Sequence, residues 1–114
     1  MYCFENYVIA DLNKNSVIDT SAAHSMLNDV NNFYGNSKVV FVSNRQFSND
    51  VDPEVYKLVD HKKLVGIAIV GSGQQQRVQA ANEQALYSGS FGFFENLESA
   101  ISWAQSFIKS KATG

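Results

Sequence analysis

The chain has 114 residues, 45% of them hydrophobic and 18% charged, with a formal net charge of −2. That length suits one compact domain burying roughly two-thirds of its unfolded surface, and a charged share below the usual ~25% argues against a disordered chain. The 9 Lys and Arg residues form no basic stripe, so no nucleic-acid partner is expected.

Cys3 is the single cysteine, which excludes an intrachain disulfide; small secreted domains more often carry cysteine pairs. The first residues show no basic segment followed by an apolar run. No stretch approaches the ~20 apolar residues of a membrane span. A cytoplasmic protein with no membrane span is therefore expected.

Tyr2, Phe4, Tyr7, Val8, Ile9, Ala10 and Leu12 fill the first dozen residues, interrupted by Glu5-Asn6. Asn favours turns because it tolerates left-handed backbone and bonds locally. Two antiparallel segments, about 1–5 and 7–12, are predicted, or one strand with a bulge. Asn13-Lys14-Asn15-Ser16 reads as a polar loop.

Asp19, Thr20 and Ser21 offer helix N-caps. Ala23, Met26, Leu27, Val30, Phe33 and Tyr34 then recur at three- and four-residue spacing, one stripe of an amphipathic helix. Gly35 suits its C-terminal stop. Val39-Val40-Phe41-Val42 has no polar alternation, so a central strand covered on both faces is predicted. Ser43 to Val51 reads as a polar loop. Asp52-Pro53 opens a short helix, with Asp as cap and Pro at the first position, and Val55, Tyr56 and Val59 as its stripe.

Leu64 to Val70 is a second buried strand, broken by Gly71-Ser72-Gly73. Gln74 to Leu86 reads as a helix with Val78, Ala81, Ala85 and Leu86 facing inward. Phe91-Gly92-Phe93-Phe94 is a third, short strand. Asn96 caps a last helix, with Leu97, Ala100, Ile101, Ala104, Phe107 and Ile108 along one face and Trp103 beside them. A single domain over residues 1–110 with a frayed tail at 111–114 is expected. The fold class is α/β: an N-terminal β-pair followed by αβαβαβα around a mixed, mostly parallel sheet.

This order of elements resembles the STAS or SpoIIAA-like fold. Phe4 to Ala10, Val40 to Arg45, Val51 to Tyr56 and Phe94 to Ala104 look like small bacterial proteins of the STAS/CRAL-TRIO-like kind. The resemblance implies a regulatory or binding module rather than an enzyme. Relatives of this fold are switched by phosphorylation of a Ser in an Asp-Ser step after a core strand. Here the corresponding region is Val42-Ser43-Asn44-Arg45, with no Asp before the Ser. CRAL-TRIO-type relatives bind apolar ligands, but this chain is much shorter.

The candidate binding residues follow the two core strands, because ligands of open α/β sheets sit outside the strands' carboxyl ends. Ser43, Asn44 and Arg45 form one group, in which Arg45 can hold a carboxylate or phosphate bidentately. The alternative is an ordinary polar loop with Arg45 in a surface ion pair. As an exposed anchor, Arg45 should be replaceable by Ala with stability nearly unchanged. Gly71, Ser72 and Gly73 form the second group, where free N–H groups at a helix start suit an anion. The phosphate-loop and dinucleotide motifs are both incomplete there, and a plain turn is the alternative.

His24 and His61 lack carboxylate or Cys neighbours at metal spacing. No catalytic residue, metal or cofactor is assigned. Phe91, Phe93 and Phe94 either line a ligand cavity or plug the sheet edge. The leading expectation is a non-enzymatic module acting through a protein partner or as a homodimer, with Tyr2, Phe4 and Tyr7 near the opening edge. The alternative is a carrier of a small apolar or amphipathic, lipid-like ligand.

Overall fold

The computed structural model describes residues 2–4, 6–11, 17–35, 37–45, 50–60 and 62–113. Chain order runs β1 (Tyr2–Cys3), β2 (Tyr7–Asp11), β3 (Val17–Ile18), α1 (Thr20–Tyr34), β4 (Val39–Asn44), β5 (Asp50–Val51), a 3-10 helix (Pro53–Lys57), β6 (Leu64–Val70), α2 (Gln74–Gln84), β7 (Ser90–Phe94) and α3 (Leu97–Thr113). Five strands form one sheet in the order β1-β2-β4-β6-β7. β1 pairs antiparallel with β2, Tyr2 opposite Ile9. Every other pair in this sheet is parallel. His61 and the loop expected at Asn13–Ser16 lie outside the described residues, as do the side chains of Phe107 and Ile108.

Strand periodicity sorts the core into two layers, since successive side chains point to opposite faces. Val8, Val39, Ile67 and Ile69 pack with Val30 and Tyr34 of α1 and Ala80 of α2. Ile9, Val40, Val42, Ala68 and Val70 pack with Ala100 and Ala104 of α3. Val40 and Val42 are fully enclosed, as the unbroken apolar run predicted. Fully burying such a side chain contributes about 1.5–3 kcal/mol. Small residues bring α3 close to the sheet: Gly66 leaves room for Trp103, whose ring would stand 3.2 Å from a Cβ placed there.

Local signals set the element ends. The Asp19 side chain accepts from Ala22 N at 2.8 Å and starts α1. Gly35 stops it with φ +59°, a backbone that favours glycine. Asp52 accepts from Glu54 N at 3.0 Å above Pro53. Asn96 accepts from Ser99 N at 2.8 Å and starts α3. The Tyr34 hydroxyl shares its proton between the carbonyls of Phe4, at 2.5 Å, and Tyr7, at 2.7 Å, tying the opening β-pair to α1.

Several expectations are corrected. Ser43 and Asn44 continue strand β4 rather than opening a loop. Asp50–Val51 pairs in parallel with Val17–Ile18 as a separate two-stranded sheet, too short to leave any periodicity in the sequence. Phe33 is 62% exposed, on the flank of the α1 stripe, and meets Tyr34 edge-on. The largest correction concerns α2. Val78 and Leu86 are 50% and 47% exposed, and Ala81 and Ala85 are exposed too. Its buried residues are Ala80 and Glu83. A charged residue at the centre of the inward face reversed the apolar pattern.

Candidate functional site

The carboxyl ends of β2, β4, β6 and β7 lie in a row along one margin of the sheet, because these strands run parallel. The two groups singled out from the sequence adjoin there: Arg45 N donates to Val70 O at 2.8 Å, and Gly71 N to Phe94 O at 3.0 Å. Asn44 turns to β2, its Nδ2 donating to Asp11 Oδ1 at 2.7 Å.

Arg45 is not an exposed anchor. Only 5% of it is accessible, and its side chain runs inward. Nη1 donates to Glu83 Oε2 at 2.5 Å and Nη2 to Glu83 Oε1 at 2.7 Å, a bidentate fork. Nε donates to Ser43 Oγ at 3.1 Å. Glu83 also accepts from the Tyr56 hydroxyl at 2.5 Å and from Gln79 Nε2 at 3.3 Å. The surface ion pair expected of Arg45 is therefore a buried one.

Burial by itself lowers the Arg45 pKa, but the hydrogen bonds and charge of Glu83 oppose this and leave it raised. The Tyr56 phenol is pushed well above its ordinary value, first by burial and then by the Glu83 carboxylate. Both shifts favour the neutral-pH forms of these two groups, a guanidinium and a neutral phenol. A carboxylate in this arrangement neutralises Arg45 from within the fold. Ser43 is buried and its oxygen engaged, which sets it apart from an accessible phosphorylatable serine.

The glycine turn is closed in a similar way. The Gln76 side chain reaches back so that its Oε1 accepts from Ser72 N at 2.7 Å. That carboxamide oxygen takes the place an anion would occupy at the start of α2. It also crowds Gly71, where any Cβ would clash with it. Gly73 has φ +87° and gives α2 no side-chain cap. Further along, Arg77 pairs with Glu95 at 2.7 Å and lies over the Phe93 ring.

Two cavities flank this framework. One of about 60 Å³ lies beneath the 3-10 helix, between Met26, Leu27, Phe41 and Val55, with Ser43 and Arg45 at its polar end. Small-molecule sites usually measure about 300–1,000 Å³. The other, about 340 Å³, opens at the amino ends of β4 and β6, lined by His24, Asn28, Asn31, Lys63, Tyr34 and Leu64 among others. Lys63 Nζ donates there to Asn31 Oδ1 at 3.0 Å, near the negative end of α1. Sequence reasoning placed no site at this margin. Among the described residues, no three His, Cys, Asp or Glu side chains gather to hold a metal ion, and no helix is long and apolar enough to cross a membrane.

An uncharacterized protein of the DUF3478 family from Shewanella loihica PV-4, whose crystal structure has a SpoIIAA-like fold, superposes with a TM-score of 0.63 at 18% identity. The match covers 86% of this chain and 83% of that one. The fold is SpoIIAA-like. The antiparallel opening pair, the parallel remainder and the three helices are the arrangement that the sequence order implied. No protein-family profile matches the sequence, and no curated protein matches it significantly.

Proposed function

We propose that this SpoIIAA-like domain is a non-catalytic binding module that works by docking a protein, either a different partner or a second copy. The observation carrying this reading is the outward face of α2. Val78 and Ala81 on α2, with Ala85 and Leu86 just past its end, are exposed apolar residues. The two charges of that helix are used elsewhere, Arg77 by Glu95 and Glu83 by Arg45. Interface cores are likewise depleted of charge. The internal neutralisation of Arg45 supports the same reading, since a ligand anchor is better left unpaired.

The test is in-cell photo-crosslinking from position 78, read by mass spectrometry, with Gln105 on α3 as the control position. The reading expects one adduct specific to position 78 and lost in Leu86→Asp. Equal labelling from both positions would overturn it.

A lipid-like ligand is the second reading, favoured by the apolar lining beneath the 3-10 helix. It requires the 3-10 helix to lift and the cavity to grow several-fold. A thermal-shift series with fatty acids of rising chain length tests it: a length-dependent rise in Tm supports the carrier, and a flat series removes it.

A further inference from the structure

The two edges of the main sheet are built differently. The β1 edge is only two residues long, and a short edge strand is itself a protection against pairing with another chain. The β7 edge is five residues long, Ser90-Phe91-Gly92-Phe93-Phe94, without charge or proline. Among the described residues no strand pairs with its outer side. It thus lacks three of the usual devices that blunt an edge: short length, charge and proline.

We infer that β7 is the self-association edge: two copies pair their β7 strands antiparallel about a two-fold axis at Gly92. This goes beyond the α2 face proposed above: it concerns a different edge and names a second copy of the chain as its occupant.

The hydrogen-bond phase favours this register. Phe94 O accepts from Gly71 N, so Phe94 faces β6. Backbone groups alternate sides along a strand, so Ser90 and Gly92 also face β6, while the N–H and C=O of Phe91 and Phe93 point outward. A two-fold axis at Gly92 sets Phe91 opposite Phe93 of the second copy, and Phe93 opposite its Phe91. Each pair exchanges two bonds, giving four across the junction. Gly92 then opposes Gly92 at the closely spaced, non-bonded position, where strands come nearest.

Side chains agree with this register. Phe91 and Phe93 lie on the sheet face covered by α1 and α2, so both new cross-strand pairs are aromatic, a favourable combination. Glu95, the acidic residue beside this strand, falls opposite Gly89 of the second copy, and it already pairs with Arg77. No like charges meet, although the chain is net negative. An oppositely charged partner would find no charge on the strand to recognise.

The strand edge is about 17 Å long. A junction this short falls well below the ~800 Å² per partner of a standard interface, so the dimer is a weak, concentration-dependent one.

The experiment combines sedimentation velocity with residue-resolved amide exchange on the full chain, from about 5 to 500 µM. The expected result is a monomer–dimer equilibrium in which exchange at Phe91 and Phe93 slows tenfold or more as dimer forms, while Gly92 and Phe94 stay constant. Ser90→Lys, which places an ammonium against Phe94 of the second copy, should raise the dissociation constant at least tenfold and leave Tm within a few degrees. A monomer at every concentration overturns the inference. So does a dimer in which Phe91 and Phe93 exchange as before, which leaves the docking function standing on another face. Loss of the position-78 adduct with intact β7 protection would instead remove the α2 reading alone.

Discussion

Helices α2 and α3 pack against opposite faces of the same sheet, yet only α3 shows its buried side in its sequence. Its inward positions include Ala100 and Ala104, both fully buried, where periodicity placed them. In α2 Val78 and Ala81 face solvent, and Glu83 faces the core beside Ala80. Hydrophobic periodicity reports a buried face only when that face is apolar. One buried ion pair is enough to reverse it, because its partner is 38 residues away in sequence and invisible to any local window.

The strongest way to break this comparison is to remove one member of the pair. Arg45→Ala leaves Glu83 buried without its cation and should cost about 3–5 kcal/mol in a urea titration. The expectation that this substitution is nearly neutral is thereby corrected. Replacing both, Arg45→Met with Glu83→Leu, should be neutral or stabilising by about 1–4 kcal/mol. If the single variant costs under ~0.5 kcal/mol, the surface range, Arg45 is solvated and the contrast between the helices collapses.

On the α3 side the expected loss is smaller and of another kind. Ala104→Leu overfills a close helix–sheet contact and should cost about 1–3 kcal/mol by the same titration. An unchanged midpoint would mean that α3 stands further from the sheet.

The faces should also part company in alkali. Tyr34 and Tyr87 both serve the α1–α2 face, and both phenols are pushed up to about 12, chiefly by burial. The Tyr87 hydroxyl donates to the Leu64 carbonyl. A folded pKa above the unfolded value of about 10 means that the unfolded chain releases protons first. Their stabilisation is whole below pH ~10 and is lost as pH rises towards 12. Tyr87→Phe should flatten the decline in Tm between pH 10 and 12 and leave its slope near pH 7 unaltered. An unchanged alkaline slope would show that Tyr87 ionises freely.

The smallest effect is expected at Val78. Val78→Asp should change stability by no more than ~0.5 kcal/mol, because the side chain faces water. A loss of several kcal/mol would restore the inward orientation read from the sequence.

The main elements were legible because each had a local cause: unbroken Val and Ile runs for β4 and β6, Asp19 and Gly35 around α1, Asp52-Pro53 for the 3-10 helix. The β3–β5 pair was not, since two-residue strands carry no period. The site was half legible. Arg45 stood out as a cation at the end of an apolar strand, but its partners did not. Tyr56 read as part of an apolar stripe, and nothing in the local pattern singled out Glu83. The available signal was Glu83 aligned with Gln76, Gln79 and Ala80 on one side of α2, a polar face that only a buried cation makes sense of.

The contact of Trp103 with Gly66 gives the molecule a built-in reporter. The chain has one Trp, carried by α3 and packed against Phe94 with ring centroids 5.6 Å apart. Its fluorescence therefore follows the docking of α3 on the sheet, while Tyr34, Tyr56 and Tyr87, three of the five tyrosines, report on the α1–α2 face. Comparing the two emissions during denaturation asks whether the layers melt together. Coincident transitions would make the domain a single cooperative unit. A tyrosine transition preceding that of tryptophan would make the ion-pair side the first to open.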